Sequence, residues 1–371
     1  MAFERAVWQV DLGILKENFS LISAKLGNCR KIAVVKADAY GFGLMPVAET
    51  LAGMTDIFAV AELGEAIEVA KLGKPVMIFG ALFGDEVSEA IHHQIIIPVG
   101  TFAEASAVSA EAGRQGVSAK VLIPVDTGMG RIGICGDHQM EDILRIVALE
   151  NLELSGIYTH CPTASIKDDH ATILQLEKFR FMISALAQRG VVFPAVHIAA
   201  SDAICNYPDS LQTPFTHARI GVVMYGADPK FMPESGLRSV GRFFSRLLEV
   251  RSLGAGTSIG YGRTMVLKKP TLVGTVGCGY ASGLPLAFSN RGRFLVRGVS
   301  CPVLGRVSMD YTTISLENCP DAQVGDEAVA LGNQGDQSIS AAEWAEIKNT
   351  HVHEVLCGIS GRVKRRYVNG K

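Results

Sequence analysis

The apolar positions along the first two thirds of the chain follow two patterns that alternate. Short continuous apolar runs, rich in valine and isoleucine, are typical of strands buried on both faces of a parallel sheet. Between these runs, apolar residues recur at spacings of three and four, which predicts amphipathic helices. The predicted strands are residues 32–37, 57–61, 76–80, 95–99, 119–125, 154–159, 195–199 and 218–224. The predicted helices include 45–52, 65–72, 85–92, 103–112 and 169–187, after a first helix that Asp11 caps.

Eight strands that alternate with helices over this length predict a (β/α)8 barrel, with a doubly wound open sheet as the alternative. After residue 231 the pattern becomes mostly β, with strands predicted at 247–252, 271–277, 293–296, 303–307, 312–316 and 328–331 and a helix at 340–347. We therefore predict a barrel over residues 10–231 and a β domain over 232–371 that also includes residues 1–9. The predicted linker is 228–236, which contains two prolines and a glycine.

Composition excludes several classes of protein. With 48% hydrophobic and 19% charged residues the chain has enough apolar material for a large core, and its net charge of -2 offers no general attraction to nucleic acid or acidic membranes. No apolar run is long enough to span a bilayer, and the first residues lack the apolar stretch of a signal peptide. The eight cysteines form no C-x-x-C pair, and several of them, such as Cys205 and Cys278, lie in apolar strand-like runs. This fits reduced, buried thiols and predicts a cytoplasmic protein.

A lysine stands at the end of the first predicted strand, within the stretch Val-Val-Lys36-Ala-Asp-Ala-Tyr40-Gly-Phe-Gly. A lysine in an apolar run is costly unless its charge is paired, neutralised or used. One interpretation is structural: Lys36 closes the strand and extends its amine to solvent. The other is chemical: Lys36 binds an aldehyde cofactor covalently.

Position in the barrel favours the chemical interpretation. Reactive groups of (β/α)8 barrels lie at the carboxyl ends of the strands, and phosphate sites favour the loops after strands seven and eight. The seventh predicted strand leads to Ser201, and the eighth contains Arg219 and Gly221. A hydroxyl and glycine-flanked N–H groups can cradle a phosphate, although serine and glycine at these places also fit ordinary turns.

Two further polar groups follow other strands. Arg131 belongs to Asp-Thr-Gly-Met-Gly-Arg after strand five, and His160 ends Tyr-Thr-His after strand six. Arginine is a permanent cation suited to a carboxylate, but it also serves in structural ion pairs, and a single histidine is often a core residue. The chain contains no Walker loop, no strand-linked G-x-G-x-x-G and no H-E-x-x-H, so no motif predicts a metal site.

The ordered set of motifs resembles that of the alanine racemases and covers nearly the whole chain. The matching segments are the Lys36–Tyr40 stretch, Asp126 to Arg131, Tyr158 to His160, Arg219 with Gly221 and Tyr225-Gly226, Gly260-Tyr261-Gly262, Gly279-Tyr-Ala-Ser-Gly283, and Gly305-Arg-Val-Ser-Met309-Asp310.

This resemblance implies a barrel that binds pyridoxal 5'-phosphate, a C-terminal β domain, and a head-to-tail homodimer with shared active sites. It implies that Lys36 holds the cofactor, and that Lys36 and Tyr261 of the other subunit are the two bases that interconvert L- and D-alanine, supplying D-alanine for peptidoglycan. It also implies that the cofactor phosphate is bound by Tyr40, Ser201, Gly221 and Val222. Arg219, oriented by His160, would face the pyridine nitrogen, and Arg131 and the Met309 N–H would bind the substrate carboxylate.

Several positions depart from the family pattern. Pro124 stands where many members have a carbamylated lysine that supports the arginine, so we expect Arg131 to be positioned differently. Ala200 replaces the usual asparagine in the segment after strand seven. Towards the implied substrate entrance, Ser165 and Ser282 replace aspartates and Leu286 replaces an arginine, and His353 stands where a tyrosine is usual near the phosphate and the inner gate. These changes fit either structural drift or a corridor for serine or a longer amino acid. A non-catalytic pyridoxal-phosphate carrier is a further alternative, disfavoured by the C-terminal third of the chain.

Overall fold

The computed structural model describes residues 5–228 and 236–369. Its strands, in chain order, are β1 Ala6–Asp11, β2 Arg30–Val34, β3 Ile57–Val60, β4 Val76–Ile78, β5 Ile97–Pro98, β6 Ala119–Pro124, β7 Leu152–Tyr158, β8 Ala195–His197, β9 His217–Ile220, β10 Gly241–Leu253, β11 Ser258–Ile259, β12 Met265–Val266, β13 Thr271–Val276, β14 Arg293–Val296, β15 Val299–Pro302, β16 Thr312–Ser315, β17 Glu327–Gln334, β18 Gln337–Ile339 and β19 Lys364–Val368. Its α-helices are Leu12–Ser23, Leu44–Leu51, Leu63–Ala70, Asp85–His92, Phe102–Gln115, Gln139–Val147, His170–Gln188, Ser201–Asn206, Ala341–Lys348 and Val352–Cys357.

The chain divides into two compact units. The barrel unit comprises residues 19–39 and 44–224, and the β unit comprises the described parts of 1–18, 40–43 and 225–371. The predicted linker 228–236 lies outside the described residues except for its two ends, so the predicted division at residue 231 stays a prediction.

The barrel unit is a closed ring of parallel strands. Hydrogen bonding orders the strands β4-β3-β2-β9 in one sheet and β5-β6-β7-β8 in the other. Backbone bonds close both gaps: Ile78 N donates to Ile96 O at 3.1 Å, and Thr216 N donates to Val196 O at 2.8 Å. The (β/α)8 prediction is therefore confirmed, and the open-sheet alternative is wrong. Apart from Ile57, the valine, isoleucine and alanine side chains of these strands are almost completely buried, because a parallel strand is covered by helices on one face and by the barrel interior on the other.

Several predicted strands are shorter in the structure. The first ends at Val34 because the residues that follow Lys36 turn into left-handed backbone. The eighth ends at Ile220, and Val222–Tyr225 forms a 3-10 turn instead. The prediction for 303–307 is wrong: Gly305 has φ of +74°, and a side chain there would come within 2.5 Å of Ile259 O, so this segment is a tight loop.

The β unit is built on a nine-stranded sheet with the central order β15-β14-β17-β10-β1-β19. Sequence patterning missed β1 and β19, which come from opposite ends of the chain and pair in parallel. Trp344 anchors the core of this unit; its ring packs edge-on against Phe288, and its indole N–H donates to Ala330 O at 2.8 Å. Among the described residues, every helix is too short or too polar to cross a bilayer.

Candidate active site

The predicted chemical groups of the barrel unit lie at the carboxyl ends of its strands. Lys36 comes two residues after β2, His160 two residues after β7, and Ser201 four residues after β8. Arg219 is within β9, and Gly221 and Val222 follow that strand directly. Because the carboxyl ends of parallel strands meet at one rim of a barrel, residues distant in sequence converge there.

Arg219 is the hub of this rim and is only 4% exposed. Its Nη2 donates to the carbonyl oxygens of Thr159 at 3.0 Å and Ile198 at 2.9 Å, and its Nη1 donates to His197 Nδ1 at 2.6 Å. These bonds join β9 to the ends of β7 and β8. A guanidinium is a donor only and stays charged, so this network fixes both the position and the charge of the cation.

His197 is completely buried, and the Arg219 contact determines its tautomer. Since Nη1 can only donate, Nδ1 of His197 accepts and the ring proton is on Nε2. Burial and the neighbouring Arg219 charge hold the pKa of His197 well below its usual value. The imidazole is therefore a neutral acceptor that orients Arg219; sequence reasoning did not select it, although it ends the seventh barrel strand.

His160 lies beside the same guanidinium, with its Nδ1 at 3.3 Å from Arg219 Nη2. Burial, and then the charges of Arg219, Arg131 and Lys36, lower the pKa of His160 to about 3. All three predicted cations thus act on one imidazole, which places them in the same neighbourhood. His160 is neutral at physiological pH, and the site as a whole suits an anionic ligand.

Ser201 and the segment after β9 come together as predicted. Ser201 is 6% exposed, and its hydroxyl accepts a hydrogen bond from Val223 N at 3.3 Å. Gly221 and Val222 immediately precede that amide. A serine hydroxyl next to successive backbone N–H groups is a common phosphate cradle.

Arg131 is positioned through the backbone of its loop. One oxygen of Asp126 accepts from Gly128 N and Met129 N, both at 2.8 Å, and the other accepts from Arg131 N at 3.1 Å. Burial raises the pKa of Asp126, but these amide bonds outweigh it and the net pKa is lowered. Among the described residues, no carboxylate pairs with the Arg131 guanidinium. These bonds hold the backbone of the loop that carries Arg131, and the expectation that Pro124 changes how Arg131 is positioned stays a prediction.

A second tie joins this loop to the β7 end. Gln175, from the helix His170–Gln188, donates through Nε2 to Thr127 Oγ1 at 3.0 Å and to His160 O at 3.1 Å. Thr127 in turn bonds Thr159 at 2.7 Å. Sequence reasoning missed Gln175 because helical periodicity marks it only as an inward position.

The remaining predicted residues belong to the β unit. Tyr40 is buried, with its ring 6.0 Å from that of His353 and 5.5 Å from that of Tyr225. Tyr261 and Met309 are 71% and 52% exposed. The segments that carry them adjoin, since Gly305 packs against Ile259.

The barrel rim fits pyridoxal phosphate. Lys36 supplies a primary amine for the aldehyde, the buried Ser201 and the amides around Val223 suit the phosphate, and the surrounding cations suit its negative charge.

Comparisons with known proteins agree over the whole length. Residues 10–229 match the family model of the alanine racemase N-terminal domain, and residues 240–367 match that of the C-terminal domain. An alanine racemase of Halothermothrix orenii is 35% identical over 98% of this chain and 97% of its own length. The alanine racemase 2 of Caldanaerobacter subterraneus is 36% identical over 97% of this chain and 94% of its own length.

Solved structures give the same answer. Alanine racemase from a D-cycloserine-producing Streptomyces lavendulae superposes with a TM-score of 0.93 at 29% identity, covering 100% of this chain and 99% of that one. The Bacillus anthracis enzyme with bound L-Ala-P has a TM-score of 0.91 at 30% identity, covering 100% and 97%. A Bartonella henselae alanine racemase, solved with covalently bound pyridoxal phosphate, shares the fold with a TM-score of 0.89 at 24% identity over 98% and 99% of the two chains. The chain therefore belongs to the alanine racemase family and is an isomerase of the amino-acid racemase class.

Proposed function

We propose that this enzyme interconverts L- and D-alanine with pyridoxal 5'-phosphate bound at Lys36. The observation that carries the proposal is the convergence of Lys36, His160 and the anchored Arg219 on one barrel rim, in a chain that matches both racemase domains. The match to the C-terminal domain also argues against the carrier alternative, because such carriers consist of a barrel alone.

Removal of the substrate Cα proton and its replacement on the opposite face are carried out by two side chains. The bound cofactor withdraws electrons from the substrate Cα and so acidifies its proton. Inversion requires that a proton leave one face and return on the other, which one group on one face cannot accomplish. Lys36 Nζ serves one face, and Oη of Tyr261 from the partner subunit serves the other.

The other residues bind and orient. Ser201, Gly221, Val222 and Tyr40 would hold the phosphate. Arg219, oriented by His160 and His197, would supply a permanent cation for the pyridine nitrogen and would not give up a proton to it. The Arg131 guanidinium and the Met309 N–H bind the substrate carboxylate.

A homodimer with shared sites is supported by the surface of the β unit. Tyr261, Met309, Tyr280, Tyr311 and Leu286 all have exposed side chains, each between 42% and 71%, which is unusual for large apolar groups on a protein without a partner.

Chiral analysis tests the activity and its breadth. The purified, cofactor-loaded enzyme is incubated with a panel of L-amino acids, and the products are separated by chirality. We expect D-alanine as the fastest product. Faster formation of D-serine or of a longer D-amino acid contradicts the alanine assignment, and no D-product despite bound cofactor contradicts racemisation.

Subunit mixing tests the shared site. Lys36→Ala and Tyr261→Ala are each expected to be inactive. After the two are dissociated and reassociated, about half of the dimers are mixed and each carries one intact site, so about one quarter of wild-type activity returns. If both bases came from one subunit, no activity would return.

The supply of D-alanine for peptidoglycan is tested by growth. We expect the gene to rescue a bacterial strain that requires added D-alanine, whereas the Lys36→Ala variant does not rescue it. Failure of the active wild-type enzyme to rescue growth contradicts this role.

A further inference from the structure

The backbone that follows Lys36 is left-handed over consecutive residues that are not glycine. Ala37, Asp38, Ala39 and Tyr40 have φ of 56°, 52°, 52° and 58°. A side chain at such φ values crowds the neighbouring carbonyl oxygen, so a run of four is costly and persists only where the surroundings hold it.

Glu65, in the first turn of the helix Leu63–Ala70, holds this turn. Its Oε1 accepts from Asp38 N at 2.8 Å, and its Oε2 accepts from Ala61 N at 3.2 Å. One carboxylate thus ties the left-handed turn to the end of the neighbouring strand β3. Asp38 adds a second tie, since its Oδ1 accepts from Leu44 N at 2.7 Å.

Lys36 stands between two anchored backbone groups. On its N-terminal side, Val35 N donates to Ala59 O at 2.9 Å, and on its C-terminal side Asp38 N donates to Glu65. With both flanks fixed to β3 and its following helix, the direction in which the Lys36 side chain leaves the backbone is also fixed.

We propose that Glu65 is a positioning residue for Lys36: its carboxylate maintains the left-handed turn and so aims the lysine amine at the aldehyde of the cofactor. This inference rests on the proposed function. Both carboxylate oxygens are required as acceptors, because the two amides are held on different oxygens. A glutamine at this position retains one acceptor oxygen and turns an NH2 group toward the other amide.

The test compares Glu65→Ala and Glu65→Gln with a matched control, Glu68→Ala. Glu68 is on the same helix, and its carboxylate forms an exposed ion pair with Lys71. Full-length apo proteins are titrated with pyridoxal phosphate, and the bound cofactor is reduced with borohydride and located by peptide mass spectrometry. We expect Glu65→Ala to weaken capture at Lys36 at least tenfold and to shift the pH midpoint of the lysine-bound absorbance band, with a smaller change in Glu65→Gln and none in Glu68→Ala.

A rescue variant separates positioning from general stability. Glycine adopts positive φ without strain, and Ala37 is exposed, so Ala37→Gly removes part of the strain without leaving a cavity. We expect Ala37→Gly to restore a large part of cofactor capture in the Glu65→Gln background. If Glu65→Ala does not fold, the comparison of Glu65→Gln with the Ala37→Gly, Glu65→Gln double variant still tests the proposal. In the Glu65 variants without Ala37→Gly, we further expect kcat for alanine to fall by a larger factor than KM rises.

The outcomes are distinguishable. If the wild-type enzyme captures no cofactor at Lys36, the proposed function fails. If the wild type captures it and the Glu65 variants do so equally well, with an unchanged pH midpoint, the proposal for Glu65 is overturned.

Discussion

Arg219 Nη1 donates a hydrogen bond of 2.6 Å to Nδ1 of His197, and both side chains are buried. The direction of this bond follows from chemistry, because a guanidinium has no acceptor. A neutral imidazole therefore acts as a fixed acceptor for a permanent cation at the rim of the barrel.

Removing the acceptor leaves a buried donor unsatisfied. We expect His197→Ala to lower the free energy of unfolding by about 3 kcal/mol and kcat by about 10²-fold, since a cavity adds to the lost bond and Arg219 is released. Asparagine carries an amide oxygen near the position of Nδ1, so we expect His197→Asn to retain much of the wild-type free energy of unfolding and much of kcat. Urea unfolding and steady-state kinetics measure these effects, and equal behaviour of the two variants would contradict the acceptor role.

Arg219→Lys preserves the positive charge but replaces the planar guanidinium, with its several N–H donors, by a single ammonium group. A lysine cannot reach Thr159 O, Ile198 O and His197 Nδ1 together, so buried acceptors lose their donors. We expect unfolding free energy to fall by about 2–4 kcal/mol and kcat to fall by about 10²-fold. Arg189→Lys is the control and should change neither, because Arg189 is exposed and its guanidinium donates to Ala185 O on its own helix. Wild-type kinetics in Arg219→Lys would contradict the network.

Acid should destabilise the enzyme through its neutral histidines. The pKa of His160 is lowered to about 3 and that of His217 to about 4, in both cases first by burial. Below the unfolded value of about 6.5 the unfolded chain binds protons that the folded chain does not, so stability is lost as pH falls from about 6.5 toward these values.

The expected slope is up to about 1.4 kcal/mol per pH unit for each histidine. Urea midpoints measured at intervals between pH 7.5 and 4.5 give this slope. In His160→Asn we expect this slope to fall by up to about 1.4 kcal/mol per pH unit, because one proton fewer is taken up on unfolding. An unchanged slope in His160→Asn would rule out this origin.

Asp126 should govern substrate affinity through the Arg131 loop. With Asp126→Ala, three backbone amides lose their acceptor, and we expect KM for alanine to rise about tenfold, equivalent to roughly 1.4 kcal/mol, with a smaller change in kcat. Asp137→Ala, in the same region and exposed, is the control. A change in kcat alone would show that the loop does not act through substrate binding.

Local patterning predicted most of the barrel, because each buried parallel strand is a short apolar run that can be recognised by itself. It misplaced strand ends where backbone conformation changes for tertiary reasons, as after Val34, where Glu65 holds the left-handed turn. It missed β1 and β19, since their pairing joins the two ends of the chain.

The sequence by itself determined the family, the alternation of strands and helices, and the identity of the chemical groups, since these depend on residue type and spacing. Only the tertiary structure decided that Arg219 meets His197 and that Glu65 reaches the turn after Lys36. Both contacts depend on backbone direction at a turn or strand end, and both join segments that are well separated in the chain. Such contacts are favourable only once the barrel has closed, because the strands that carry them come together only in the folded ring.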